Sequence, residues 1–215
     1  MSRPTHIHLV RHGLVDNPRK VVYGRLPRFR LARRGIAQAR QSAVYLKSRP
    51  VNALFSSPLL RARQSAREIL NLIQLKRIGI SQLITEVHSP FEGRPTAKVD
   101  ALKGDVYAHT DAQFEHPQDV LARTLRFFKR SVNRYRGRHI VAVTHGDIIV
   151  FAYLWALDRV PDPDYKGRLD SLGIPSGYPA HGSVTSFAFQ NNSQAHLPAV
   201  RYWEPAGTTH KQSPV

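Results

Sequence analysis

The chain has 215 residues, 41% of them apolar, no cysteine, and 32 Lys and Arg against 15 Asp and Glu, for a formal net charge of +17. Length and apolar content suit one globular domain with a buried core; no apolar run approaches the roughly 18 residues of a membrane span, and the start Met1-Ser2-Arg3-Pro4-Thr5-His6 carries no secretory or transit pattern, which predicts a cytoplasmic protein. The lack of cysteine excludes disulfides, thiolate metal centres and a cysteine nucleophile, while the positive charge predicts attraction to phosphates, nucleic acids or acidic surfaces without choosing among them.

In chain order, His6 to Arg11 reads as a buried strand that stops at His12-Gly13. Residues 14 to 34 contain Pro18, Gly24 and Pro27 with no clean period and read as a loop. Ile36, Ala39, Ala43 and Leu46 predict a helix from about Arg34 to Lys47. Ala53 to Ser56 is a short buried strand, after which Ser57-Pro58 supplies an N-cap and a first-position proline for a helix through about Ile73. Arg61 then lies about one turn in, where its side chain and the positive helix end face the same anion. Ile78 to Ile84 predicts a strand that ends at Thr85-Glu86, and residues 87 to 116, with Pro90, Gly93, Pro95 and Gly104, predict a lid-like insertion over the sheet. A helix from about Pro117 to Tyr135 leads to the strand Ile140 to Val143, which stops at Thr144-His145-Gly146. A helix over Asp147 to Leu157, a Pro/Gly-rich stretch over 161 to 183, and strands Val184 to Phe189 and Val200 to Trp203 complete the chain. The alternation predicts an α/β three-layer sandwich, with a mostly parallel central sheet and helices on both faces, forming one domain over residues 1–215.

Two strand ends each carry a histidine followed by glycine, and one also carries Arg11, which makes an anion-handling site where open α/β sheets expose their crevice. Asn17, Tyr23-Gly24-Arg25 and Ser57-Pro58-Leu59-Leu60-Arg61-Ala62 lie between them. The set resembles the histidine phosphatase superfamily, also called the phosphoglycerate-mutase-like family. The pattern of that family is an Arg-His-Gly opening, a downstream Asn, a Ser-x-Leu-x-Arg-Ala helix start, a Glu and a late His-Gly. The resemblance covers Ile7 to about Phe189.

The resemblance implies that His12 attacks phosphorus as a neutral imidazole whose other nitrogen is held by a backbone carbonyl, giving a phosphohistidine that water later hydrolyses. Arg11 and Arg61 would fork onto phosphate oxygens, and a protonated His145 would stabilise the charge of the transition state. Glu86 is the implied acid for the leaving alcohol, with Glu92 of Phe91-Glu92-Gly93 as its rival. Asn17, Gly24 and the amide of Gly146 match phosphate-contacting positions. No metal or other cofactor is implied, and the partner expected is a small phosphorylated substrate. His6-x-His8 has the strand spacing of a metal pair, but no carboxylate-rich motif follows it.

Mutases of this family carry a long distinctive segment after the catalytic glutamate, and Val87-His88-Ser89-Pro90-Phe91-Glu92-Gly93 does not match it. The expected activity is therefore that of a metal-independent phosphomonoesterase. A mutase-type phosphotransferase and a catalytically idle relative that binds phosphate or nucleic acid are the alternatives. Arg123, Arg126, Arg130 and Arg134 read as a solvated helix face in preference to a nucleic-acid surface, since no aromatic-interleaved motif accompanies them. Arg25, Arg28, Arg30, Arg33 and Arg34 are expected to steer anionic substrates towards the site, and substrate choice is expected to reside in loops 14 to 34 and 87 to 116.

Overall fold

The computed structural model describes residues 3–108, 110–190 and 196–207. Its elements run β1 (Thr5–Arg11), α1 (Arg33–Lys47), β2 (Val51–Ser56), α2 (Leu60–Ile73), β3 (Gly79–Ile80), α3 (Thr96–Asp100), α4 (Pro117–Arg134), β4 (His139–Thr144), α5 (Gly146–Ala156), β5 (Val184–Phe189) and β6 (Ala199–Trp203). These strands form one sheet in the order β3-β2-β4-β1-β5-β6. The first four are parallel, β5 runs antiparallel to β1, and β6, antiparallel to β5, returns to the common direction, so the mostly parallel sheet expected from the sequence is present.

Side-chain alternation along the strands builds two cores. Val10, Val141 and Val143 meet Ala43 and Leu46 of α1 and Ala62, Ala66 and Ile69 of α2 on one face. Ile7, Leu9, Ile140 and Ala142 meet Phe127 and Phe128 of α4 and Ile149 and Ala152 of α5 on the other. Strands covered on both faces need apolar residues at consecutive positions, which is why they stand out as unbroken runs. Helix α5 is buried at every position except Trp155. A third cluster, with Val87, Val99, Val106 and Tyr107 from the 87–116 region and Leu169, Ile174 and Tyr178 from the Pro/Gly-rich stretch, packs on its outer side.

Three local expectations are corrected. The strand read over Ile78–Ile84 is only the two-residue β3, followed by a 3₁₀ turn over Gln82–Ile84. As an edge strand it pairs only with Phe55 and Ser56, and the turn then buries Ile84, whose carbonyl accepts the Thr144 hydroxyl at 2.7 Å. Helix α2 starts at Leu60 with Leu59 as its N-cap, so Ser57 caps nothing and its hydroxyl is left for other work. Arg123 is not on a solvated face: it is buried and paired with Glu115 at 2.8 Å, with Arg25 held by the same carboxylate at 2.7 Å.

Candidate active site

The site follows from strand register. Arg11 of β1 pairs with Thr144 of β4, so the next residues, His12 and His145, emerge side by side at the carboxyl ends of two neighbouring strands. Their ring centroids are 5.2 Å apart. The chain leaves β1 towards the α1/α2 face and β4 towards the α4/α5 face, and such a parting of connections opens a crevice between two parallel strands. Ser56 of β2 pairs with Val143, which brings Ser57 beside the same ends.

His12 is 1% exposed, and its Nδ1 lies 2.8 Å from its neighbour's carbonyl, Gly13 O. A carbonyl only accepts, so Nδ1 carries the proton and Nε2 keeps its lone pair. Arg61 Nε donates to that Nε2 at 3.1 Å. Burial, then the charges of Arg61, His145, His181 and Arg11, hold the His12 pKa well below the ordinary imidazole value. The ring is therefore neutral at neutral pH.

Arg61, also buried, is the hub of the site. Beyond His12 its guanidinium reaches the Gly24 carbonyl at 2.7 Å, Glu86 Oε2 at 3.4 Å and His145 Nδ1 at 3.3 Å, and it lies over the Tyr23 ring. Arg11 donates to Pro179 O at 2.6 Å and stacks over Tyr178, while its Nε, buried, has no hydrogen-bond partner among the described residues. That leaves its Nε–H for an anion. Arg11, His12, Tyr23, Glu86 and Tyr178 border a narrow hollow of about 50 Å³ lined also by Gly24, Gly146, Asp147 and Lys166, and Arg61 touches it through His12, Gly24 and Glu86.

Glu86 and Glu92, the two rival carboxylates, are separated by the fold. Glu86 lines the hollow, with Oε2 3.3 Å from His145 Nδ1. Burial raises its pKa, but the charge and hydrogen bond of His145, then Arg61 and the Val87 N–H, outweigh it and leave the carboxyl below its usual range. Glu92 instead accepts the Arg25 backbone N–H at 2.8 Å and packs against Gly24, where a Cβ would come within 2.4 Å of it. Burial first, with Arg61 adding, lowers the His145 pKa to about 4 against the pull of Glu86, so its protonation depends on added negative charge beside it.

Of the expected phosphate contacts, Gly24 and Gly146 border the hollow and Asn17 does not. The Asn17 carboxamide is engaged at both ends with the backbone of Val21, at 2.8 and 3.3 Å, which closes its own loop. Gly146 has a steric reason as well: a Cβ there would lie 2.0 Å from the Tyr178 hydroxyl.

Sequence reasoning missed several neighbours. The Ser57 hydroxyl, which accepts the Leu59 N–H, lies 2.7 Å from His145 Nε2; the Glu86 carboxylate beside Nδ1 holds the ring proton there, so Nε2 accepts and Ser57 donates. Asp147 accepts from Tyr178 at 2.6 Å, Tyr107 at 2.7 Å and Lys166 at 3.0 Å, all buried. Burial, then the Asp147 charge, keep both tyrosines protonated. His181 packs on His12 at 5.7 Å between centroids. An acid next to His145-Gly146 was a possible signal for Asp147. Lys166 and Tyr178 come from a stretch with no period to read.

Among the described residues the one cluster with metal-ligand spacing is His12, Glu86 and His145, whose donor atoms lie within 4.8 Å of one another. Arg61 donates to His12 Nε2 and to Glu86 Oε2 and lies 3.3 Å from His145 Nδ1, so all three face a side-chain cation. His6 and His8 stack with His139 face to face, at 4.3 Å for the His6–His139 pair. His8 Nε2 and His139 Nδ1 lie 3.1 Å apart, but among the described residues no third ligand joins them in a cluster of metal-ligand spacing.

Comparison with known proteins agrees with this arrangement. The sequence profile described as "Histidine phosphatase superfamily (branch 1)" matches residues 7–174. An uncharacterised protein of Mycobacterium tuberculosis, Rv0525, is 34% identical over 152 residues, covering 67% of this chain and 75% of its own. The structure of YhfR from Bacillus stearothermophilus superposes with a TM-score of 0.73 at 19% identity, covering 96% of this chain and 98% of that one. Mycobacterial glucosyl-3-phosphoglycerate phosphatase Rv2419c superposes with a TM-score of 0.70 at 21% identity, covering 94% and 97%. Strand register, motif order and profile converge on one conclusion: the chain belongs to branch 1 of the histidine phosphatase superfamily.

Proposed function

We propose that the chain is a metal-independent phosphomonoesterase that acts on a small phosphorylated metabolite through a phosphohistidine at His12. The observation that carries this reading is the His12 ring, its Nδ1 proton tied to the Gly13 carbonyl and its bare Nε2 aimed at Arg61. A nucleophile fixed in the correct tautomer and already beside the cation that will hold its target has little left to reorganise. The phosphatase named among the structural neighbours supports the class of reaction.

The phosphoryl group displaces the Arg61–His12 contact, and Arg61 and Arg11 turn their N–H groups to its oxygens. Its negative charge raises the pKa values of Glu86 and His145, so the proton of a monoanionic ester passes to that pair. His12 Nε2 then bonds to phosphorus as the P–O bond to the alcohol breaks, and Glu86 gives the departing oxygen its proton. In the second half water attacks phosphorus, Glu86 takes the water proton, the N–P bond breaks and inorganic phosphate leaves. Gly24 and the Gly146 amide, at the start of α5, border the same hollow and complete the phosphate pocket.

The test is His12→Ala assayed against a panel of phosphomonoesters with EDTA present throughout. We expect wild-type turnover to survive the chelator, and both turnover and the acid-labile phosphoenzyme to vanish in the variant. Retained turnover in His12→Ala, or activity lost to EDTA and restored by zinc or magnesium, overturns the proposal. Transfer of phosphate between sugar-acid hydroxyls without release would select a mutase instead.

A further inference from the structure

We propose that the groove between the β2/β3 edge of the sheet and the C-terminal half of α4 binds single-stranded nucleic acid. The groove encloses about 1500 Å³ and shares no lining residue with the catalytic hollow. Lys76, Arg77, Arg130, Arg134 and Arg138 line it, and no aspartate or glutamate does among the described residues. All five are exposed. The salt bridges among the described residues use other cations, namely Arg25, Arg30, Arg40, Arg61, Arg123, His145 and Lys166. Like charges gathered without counter-charges repel one another, and a polyanion relieves that repulsion.

The floor narrows the choice of polyanion. Phe55 and Tyr135 line the groove half-buried and pack edge to face with ring centroids 6.1 Å apart, and the Arg134 guanidinium lies over the Tyr135 ring at 5.7 Å. Aromatic rings with an arginine beside them in a basic cleft suit bases unstacked from a strand, which stack on rings and guanidinium planes alike. Arg130 and Arg134 stand one helical turn apart on α4, about 6 Å along its axis, and Arg138 follows beyond the helix end, so the cations form a row. A flat bilayer meets convex surfaces and does not enter a cleft, and a duplex keeps its base faces stacked. The basic character continues past the groove end: Asn52 and Arg138 also line an adjoining hollow of about 570 Å³ with Arg3, His6, Arg136 and His139, again without an acid. The lining comes from β2, the turn into β3 and α4, which is why no linear motif announces it.

The test measures fluorescence anisotropy of labelled 20-nucleotide oligo(dT) and oligo(U) with the full chain across a salt series. Five phosphate contacts give a slope of log affinity against log salt of about −3.5, or about a hundredfold weakening between 50 and 200 mM salt. Arg130→Glu/Arg134→Glu should weaken binding more than tenfold at low salt, reduce the slope to about −2, and leave p-nitrophenyl phosphate turnover unchanged. Tyr135→Leu, which keeps the floor apolar, should cost about tenfold by removing one stacking face. Arg28→Glu/Arg33→Glu, of equal charge change but outside the groove, should leave the slope as it was. No binding, equal losses from both charge reversals, equal affinity for a 20-base-pair duplex, or groove-dependent binding to phosphatidylserine vesicles in place of the oligonucleotides would each overturn the proposal.

Discussion

The catalytic hollow and the α4 groove both concentrate positive charge, yet they handle it in opposite ways. At the hollow, Lys166 in its lining and Arg61 beside it are buried, and each is met by a carboxylate, Asp147 for Lys166 and Glu86 for Arg61. In the groove, Arg130, Arg134 and Arg138 stand in solvent with no described ion pair. The difference teaches that charge alone does not define a function. A desolvated cation with fixed partners acts at short range and strongly, because the surrounding dielectric is low, whereas an exposed row acts over about a Debye length and only while salt allows.

The largest effect expected from that contrast is on stability. Asp147→Ala strands the buried Lys166 charge and two tyrosine hydroxyls, which should cost about 3–5 kcal/mol and lower Tm by about 10 °C, whereas Arg134→Glu should move stability by less than about 0.5 kcal/mol. Calorimetry of the two variants checks this, and comparable melting shifts would break the comparison.

Next in size is Arg61→Lys. A point charge cannot hold His12, Gly24, Glu86 and an incoming phosphate at once, and burial lowers even the Arg61 pKa. We expect kcat to fall by about 10²–10³, measured at saturating ester. The same exchange at exposed Arg130 should leave kcat unchanged.

Glu86→Gln should lower kcat/KM about 10²-fold for alkyl phosphates and far less for p-nitrophenyl phosphate, whose leaving group departs without a proton. Equal losses for the two esters, or the leaving-group contrast appearing in Glu92→Gln, would reassign the acid.

A smaller effect concerns pH. The His12 pKa is lowered, so its nucleophilic form persists well below pH 6.5 and kcat/KM should not fall between pH 6.5 and 5. Above about pH 6 the ester loses its second proton, and with it the proton destined for the Glu86–His145 pair, so kcat/KM should decline as pH rises. A profile that climbs from pH 6 to 8 would contradict this proton route. Smallest of all, Ser57→Ala should cost about 1 kcal/mol of transition-state stabilisation, seen in kcat with KM unchanged.

The helices, the central strands and three of the site residues, Arg11, His12 and His145, were legible because apolar runs and turn glycines mark strand ends directly, whereas Arg61 was legible through the resemblance of its helix start. Glu86 could be ranked above Glu92 only through resemblance; what separates them in the fold is that Glu86 meets Arg61 and His145 while Glu92 accepts the Arg25 backbone N–H. Less was legible wherever the outcome depended on pairing across the sheet. Ser57 looked like a helix cap because Ser-Pro is good capping chemistry, but the register with β4 hands its hydroxyl to His145. Asn17 matched by position while its carboxamide closed its own turn. The charge of His145 depends on burial that no local sequence records. Arg123 shared a spacing with three exposed arginines, and only the return of Glu115 over α4 made it a buried anchor.

The pairing of Arg11 with Thr144 has a consequence for how the enzyme should be counted. A slip of one residue between β1 and β4 would carry His12 about 3.3 Å along the strand and turn every β1 side chain to the opposite face. No partially aligned molecule would keep His12 beside Arg61. Specific activity therefore serves as a census of correctly zipped sheets, and a refolding time course followed by turnover should trail one followed by helix content by the time this single strand pair takes to find its register.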